Sequence, residues 1–144
     1  MTTAGELQAR VDVIEESYEF FLAYAAQGVP GEQGSGSAGQ VGEFLKKLDE
    51  ALVVLADLFS AALAERDEAE LLACQPFIDV LRRDAASSLA AVRLVRRQPV
   101  VSSQMIDNLN AMIHLRALLT DVFLIDEILN PRVPDAPHPE NPTA

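Results

Sequence analysis

The sequence predicts an all-α protein, an antiparallel four-helix bundle, and three observations carry that expectation. Apolar residues recur at alternating three- and four-residue intervals over long stretches, the spacing of an inward helical stripe. No glycine follows Gly42, and only Pro76 and Pro99 interrupt the chain between Gly42 and Asn130. No segment between turn signals alternates apolar and polar residues with period two, which argues against a sheet. With 144 residues and 49% hydrophobic content, there is material for one sizeable core. The expected organisation is one bundle domain over 1–129 and a proline-rich tail over 130–144.

The first helix is expected from about Ala4 to Gln27. Thr3, with Glu6 three residues on, has the pattern of a capping box, and Gly28 sits where a left-handed terminating glycine belongs. Leu7, Val11, Ile14, Tyr18, Phe21 and Ala25 form its inward stripe. Six of the seven glycines lie between Gly28 and Gly42, so Val29 to Gly39 is expected to be a flexible loop. Gly34-Ser35-Gly36-Ser37-Ala38-Gly39 does not make a phosphate loop. No Gly-Lys-Ser/Thr follows, and no strand precedes it.

The second helix is expected from about Gln40 to Glu65, with Leu45, Leu48, Leu52, Leu55, Phe59 and Ala62 in unbroken 3-4-3-4 spacing. A third helical region starts near Glu68, with Asp67 and Glu70 as a capping pair, and ends near Arg97 before Pro99. Pro76 either kinks this region or opens its main part, since proline lacks the amide that a helix interior needs. Ile78, Leu81, Ala85, Ser88, Val92 and Val95 are its stripe. The fourth helix is expected from Ser103 to Leu129, capped by Ser102 and stopped at Pro131. Five of the eight prolines fall between Pro131 and Pro142, so the tail is expected to be extended and disordered.

Charge narrows the function classes. Eleven basic against 22 acidic residues give a net charge of −11, which disfavours a phosphate backbone or an anionic lipid surface as partner. No nucleic acid and no membrane are therefore expected as partners. The longest near-continuous apolar run, Ala51 to Ala64, is shorter than the roughly 20 residues that span a bilayer. Met1 to Arg10 shows no basic stretch followed by an apolar core, and a cytoplasmic location is expected. The single cysteine, Cys74, excludes an intramolecular disulfide.

Catalytic and metal chemistry find little support. A di-iron bundle needs Glu-x-x-His pairs, yet Ala111 stands three residues before His114, and His138 lies in the tail. Asp126–Glu127 and Glu15–Glu16–Glu19 are carboxylates with no imidazole nearby on their helix. Cys74 sits among Leu71, Leu72 and Phe77, the setting of a packed thiol. His114 is expected on the surface. The sequence points to no metal and no cofactor.

Two features point to partners. Residues 1–70 hold 14 acids and four bases, net −10, whereas residues 71–144 hold eight acids and seven bases, net −1. Arg82, Arg83, Arg93, Arg96 and Arg97 fall within an arc of roughly 140° on the third helix, and Asp12, Glu15, Glu16 and Glu19 share about 100° on the first. Arginine forks bind carboxylates bidentately, so pairing is expected within the bundle, across a dimer or with an acidic partner, and the same stripe could clamp an anionic ligand or phosphate. The fourth helix carries two apolar stripes. Met105, Leu109, Met112, Leu119 and Phe123 are expected to face the core. Leu115, Leu118, Val122, Ile125 and Leu129 are expected to form an oligomer seam. The expected function is a non-catalytic interaction protein: a homodimeric adaptor, assembly factor or accessory subunit that meets another protein. The alternative is a bundle binding or acting on an anionic small molecule through Arg82, Arg93 and Arg96, with His114.

Overall fold

In a computed structural model, which describes residues 2–31 and 37–131, every regular element among the described residues is an α-helix. The helices are α1 (Thr3–Gln27), α2 (Ser37–Arg66), α3 (Glu68–Ala73), α4 (Gln75–Arg96), α5 (Ser103–Ala111) and α6 (Ile113–Leu129). None is long and apolar enough to cross a membrane. Residues 32–36 of the expected loop and 132–144 of the expected tail lie outside the described residues.

Local chemistry accounts for most helix ends. The cap of α1 is Thr2 rather than Thr3: the Thr2 hydroxyl accepts from Gly5 N at 2.9 Å. Thr3 instead donates to Glu65 Oε2 at 2.6 Å, tying the start of α1 to the end of α2. Gly28, at φ 69°, closes α1 in the left-handed conformation that a side chain disfavours. Asp67 caps α3 by accepting from Ala69 N, and Ser102 caps α5 by accepting from Met105 N. The third helical region breaks at Cys74, and Pro76 enters the first turn of α4, where a missing amide costs no helical bond.

The expected fourth helix is two helices. Met112 is extended, at φ −63° and ψ 133°, and separates α5 from α6. No glycine or proline marks this break. Contacts on either side hold it: Asn110 Nδ2 donates to Phe21 O at 3.2 Å, and Ser88 Oγ donates to His114 O at 3.0 Å.

Sequence-adjacent long helices run in opposite directions. Thr3 meets Glu65, while Phe20 stacks on Phe44 with ring centroids 4.4 Å apart, which sets α1 against α2. Arg82 meets Asp57 and Arg93 meets Asp49, which sets α4 against α2. Tyr24 O accepts from Ser103 while Gln8 accepts from Asn130, which sets α1 against α5 and α6. The core lies between these helices. Every expected stripe residue of α2 and α4 is buried, Leu45 through Ala62 and Ile78 through Val95, including the small Ser88. In α1, Leu7, Val11, Ile14, Phe21 and Tyr24 are buried, whereas Tyr18 and Ala25 are half-buried at the edge. Each fully buried large aliphatic side chain contributes about 1.5–3 kcal/mol relative to exposure.

Val29 to Gly31, expected as part of a flexible loop, are anchored. Val29 N donates to Ser103 Oγ at 2.7 Å, and Ser103 N donates to Val29 O at 2.9 Å. Paired backbone groups and the buried Gly31 fasten the exit of α1 to the entry of α5.

Candidate functional site

Three of the five arginines are committed to α2. Arg93 Nε and Nη2 donate to the two carboxylate oxygens of Asp49 at 3.1 and 3.2 Å, and Arg96 Nη1 adds a third bond at 2.9 Å. Asp49 is buried at 6% exposure. The hydrogen bond from Arg93 holds its carboxyl below the ordinary range against the opposing pull of burial, and Arg96 adds to the effect. Arg82 donates to Asp57 at 2.8 Å in an exposed pair. Asp49 and Asp57 stand eight residues apart on one face of α2. Sequence reasoning looked to Asp12, Glu15, Glu16 and Glu19 of α1 as partners and missed these two. The signal was their i, i+8 spacing beside the Leu48–Leu52–Leu55 stripe, opposite three arginines.

Arg82 and Arg93 also line a shallow cleft between α2 and α4 of about 290 Å³, but both guanidinium groups already meet carboxylates. His114 is exposed on α6, its backbone oxygen accepts from Ser88, and it is not among the residues that line that cleft. Arg83 and Arg97 are exposed and make no ion pair among the described residues.

The acids of α1 enter a different arrangement. Glu15 faces Asp126 of α6, and its carboxyl is pushed up to about 7 by burial first, then by the charge and hydrogen bond of Asp126, with Asp12 and Glu19 adding. On the other flank of α6, Asp121 faces Asp84 of α4 and is also pushed up to about 7, by burial and then by Asp84. Asp121 Oδ2 is buried with no donor to serve it. A proton on that oxygen resolves the geometry, since a neutral acid donates to the neighbouring carboxylate. Each flank of α6 thus sets one raised carboxyl against a second acid, Glu15 against Asp126 and Asp121 against Asp84. Among the described residues, no group of three or more His, Cys, Asp or Glu is arranged to hold a metal ion.

The expected oligomer seam is intramolecular core. Leu118, Val122 and Ile125 have no exposure, Leu115 is equally buried, and Leu129 packs half-buried against them. The physical reason is the break at Met112. Counting 100° per residue carries a face across Met105, Leu109, Met112, Leu119 and Phe123 only if the helix is continuous. With the chain extended at Met112 the register resets, and the other stripe turns inward. Leu109 and Leu119 remain buried, but Met112 and Phe123 are exposed.

What α6 shows to solvent is a third set. Ile113 is 73% exposed, Leu124 51%, Phe123 49% and Ile128 45%. Arg116, Thr120 and Glu127 lie among them, also exposed. The chain matches no family model, no curated protein and no solved structure.

Proposed function

We propose that the chain is an antiparallel four-helix bundle, with α5 and α6 together filling the fourth place. We read it as a non-catalytic interaction protein that works as a homodimer. The observation that carries this reading is the outer face of α6, where four large apolar side chains lie exposed around a charge pattern that complements itself. Arg116, Thr120, Phe123 and Glu127 follow 4-3-4 spacing, so one face presents a base near its start and an acid near its end. An antiparallel copy related by a two-fold axis sets Arg116 against the partner's Glu127 twice, with Phe123 and Leu124 between. Neither charge has an ion partner among the described residues.

The same residues explain why catalysis is not the preferred reading. Arg82, Arg93 and Arg96 serve the α2–α4 seam, and the paired carboxyls sit inside helix contacts. We further read the setting as cytoplasmic, which suits the unpaired thiol of half-buried Cys74. An adaptor, assembly factor or accessory subunit fits this description.

Charge exchange tests it. Arg116→Glu and Glu127→Arg, each alone, place like charges opposite one another and should weaken the dimer by at least about tenfold, or ~1.4 kcal/mol. The double variant should restore it. Equal dissociation constants for all four proteins in sedimentation equilibrium reject the α6 interface.

A further inference from the structure

We infer that the groove between α4 and α5 is the docking site for an amphipathic helix of another protein, apolar along one face and acidic at both ends. This rests on the reading of the chain as an interaction protein, but on a different surface from the dimer face.

The α4 bank of the groove is a single ridge. Arg83, Ser87, Ala90, Leu94 and Arg97 follow 4-3-4-3 spacing, so they lie along one line of the helix. Arg83 and Arg97 stand at its two ends, fourteen residues or about 21 Å apart, and small or apolar side chains lie between them. The α5 bank supplies Met105, Asn108 and Met112, again at 3-4 spacing. Ala91, Val95 and Leu109 line the space between, which amounts to about 410 Å³.

Each feature has a consequence for the occupant. Ser87, Ala90 and Ala91 are small enough to let another backbone approach closely in the middle of the groove. Leu94, 63% exposed, stands beside that gap as an apolar anchor. Met105 and Met112 are flexible and polarisable, and adapt to a bulky side chain entering between them. These properties fit the apolar face of a helix, whose side chains at i, i+3, i+4 and i+7 enter such a groove as a row.

Charge then selects among helices. The chain carries twice as many acids as bases, yet the groove is lined by neither acid nor base, and the charges that helical spacing puts one turn beyond its ends on the α4 ridge are Arg83 and Arg97. Its two flanking arginines are the ones that the α2 carboxylates leave unused. Arg83 does not form an ion pair even with Asp79, one turn back. A guanidinium at each end of an apolar groove rewards a carboxylate at each end of the ligand and repels a basic one.

The test uses two synthetic peptides of eighteen or so residues. Both have leucine and phenylalanine at i, i+3, i+4, i+7 and i+11; one has glutamate pairs at each end and the other has lysine pairs. With the full chain, the glutamate peptide should bind in fluorescence anisotropy with a micromolar dissociation constant and the lysine peptide at least about tenfold more weakly. Arg83→Glu with Arg97→Glu should reverse that preference, and Ala90→Trp, which fills the groove from an exposed position, should abolish binding of both. Leu124→Glu, on the dimer face, should leave peptide binding unchanged. A failure of dimerisation is therefore read separately from a failure here. Equal binding of both peptides, or binding indifferent to the arginine and Ala90 variants, overturns the proposal. So does co-sedimentation with phosphatidylglycerol-containing vesicles that the arginine variant loses, which assigns the surface to lipid instead.

Discussion

Gly31 packs so closely on Val100 that a Cβ in its place would stand 2.8 Å from Val100 Cγ1 and 3.3 Å from the Ser102 backbone. Its φ of 97° lies where side chains are strained. Gly31→Ala therefore meets two penalties at one position. It should destabilise the protein by about 1–3 kcal/mol, read as a fall in the thermal midpoint. An unchanged midpoint would show that the clasp between Val29 and Ser103 contributes nothing to the fold.

Asp49 gathers the α2–α4 seam, and its removal leaves Arg93 and Arg96 without a carboxylate. Because both arginines keep contact with water, Asp49→Asn should cost about 1–2 kcal/mol rather than the full value of three charged hydrogen bonds. Its folded carboxyl titrates below the ordinary 3.8. The stabilisation is present above that value and disappears as pH falls through the folded one. Denaturant titrations of Asp49→Asn should thus lose the part of the wild type's acid-side decline that sets in as pH falls below the ordinary carboxylate value.

The carboxyl pairs act in the opposite direction. Glu15 rises from 4.5 to about 7 and Asp121 from 3.8 to about 7. Stabilisation by their protons is fully present below the unfolded values and is lost as pH rises through about 7. Both groups are only partly buried, so screening reduces the loss to about 1 kcal/mol per site. Stability should fall from pH 4.5 to 7.5 or so and then level off. Glu15→Gln and Asp121→Asn, which mimic the protonated acids, should each flatten that slope and raise the midpoint at alkaline pH. A midpoint that rises between about pH 4.5 and 7.5 contradicts the raised carboxyls of Glu15 and Asp121.

Leu118 and Val122 have no exposure, so Leu118→Glu with Val122→Glu should unfold the chain rather than release a folded monomer. Burying two unpaired carboxylates far exceeds what a marginally stable domain tolerates. Leu118→Ala alone should cost about 2–5 kcal/mol. A folded double variant with native helical content would return these residues to the surface.

These outcomes show which features the residue pattern made legible. The stripes of α2 and α4 were readable to the residue, because 3-4 spacing persists over many turns without a breaker. The caps at Asp67 and Ser102 and the glycine at Gly28 were readable because their chemistry is local. The break at Met112 was not. Its contacts go to other helices, Asn110 to Phe21 of α1 and His114 to Ser88 of α4, and no glycine or proline announces it. That omission misplaced Leu115, Leu118, Val122, Ile125 and Leu129, since a register error at one residue rotates everything beyond it. The arginine face was legible as a face, but its division was not. Whether a guanidinium meets Asp49 or stands free at Arg83 or Arg97 depends on which side of α4 turns toward α2.

The mass of the wild-type chain in solution tests the central claim most directly. Light scattering coupled to size exclusion, at micromolar concentration and moderate salt, should give twice the 15.6 kDa of the single chain. Leu124→Glu, on the outer face of α6, should return it to one chain's mass with helical content intact. A wild-type mass of 15.6 kDa at that concentration contradicts the dimer and the role assigned to Ile113, Phe123, Leu124 and Ile128.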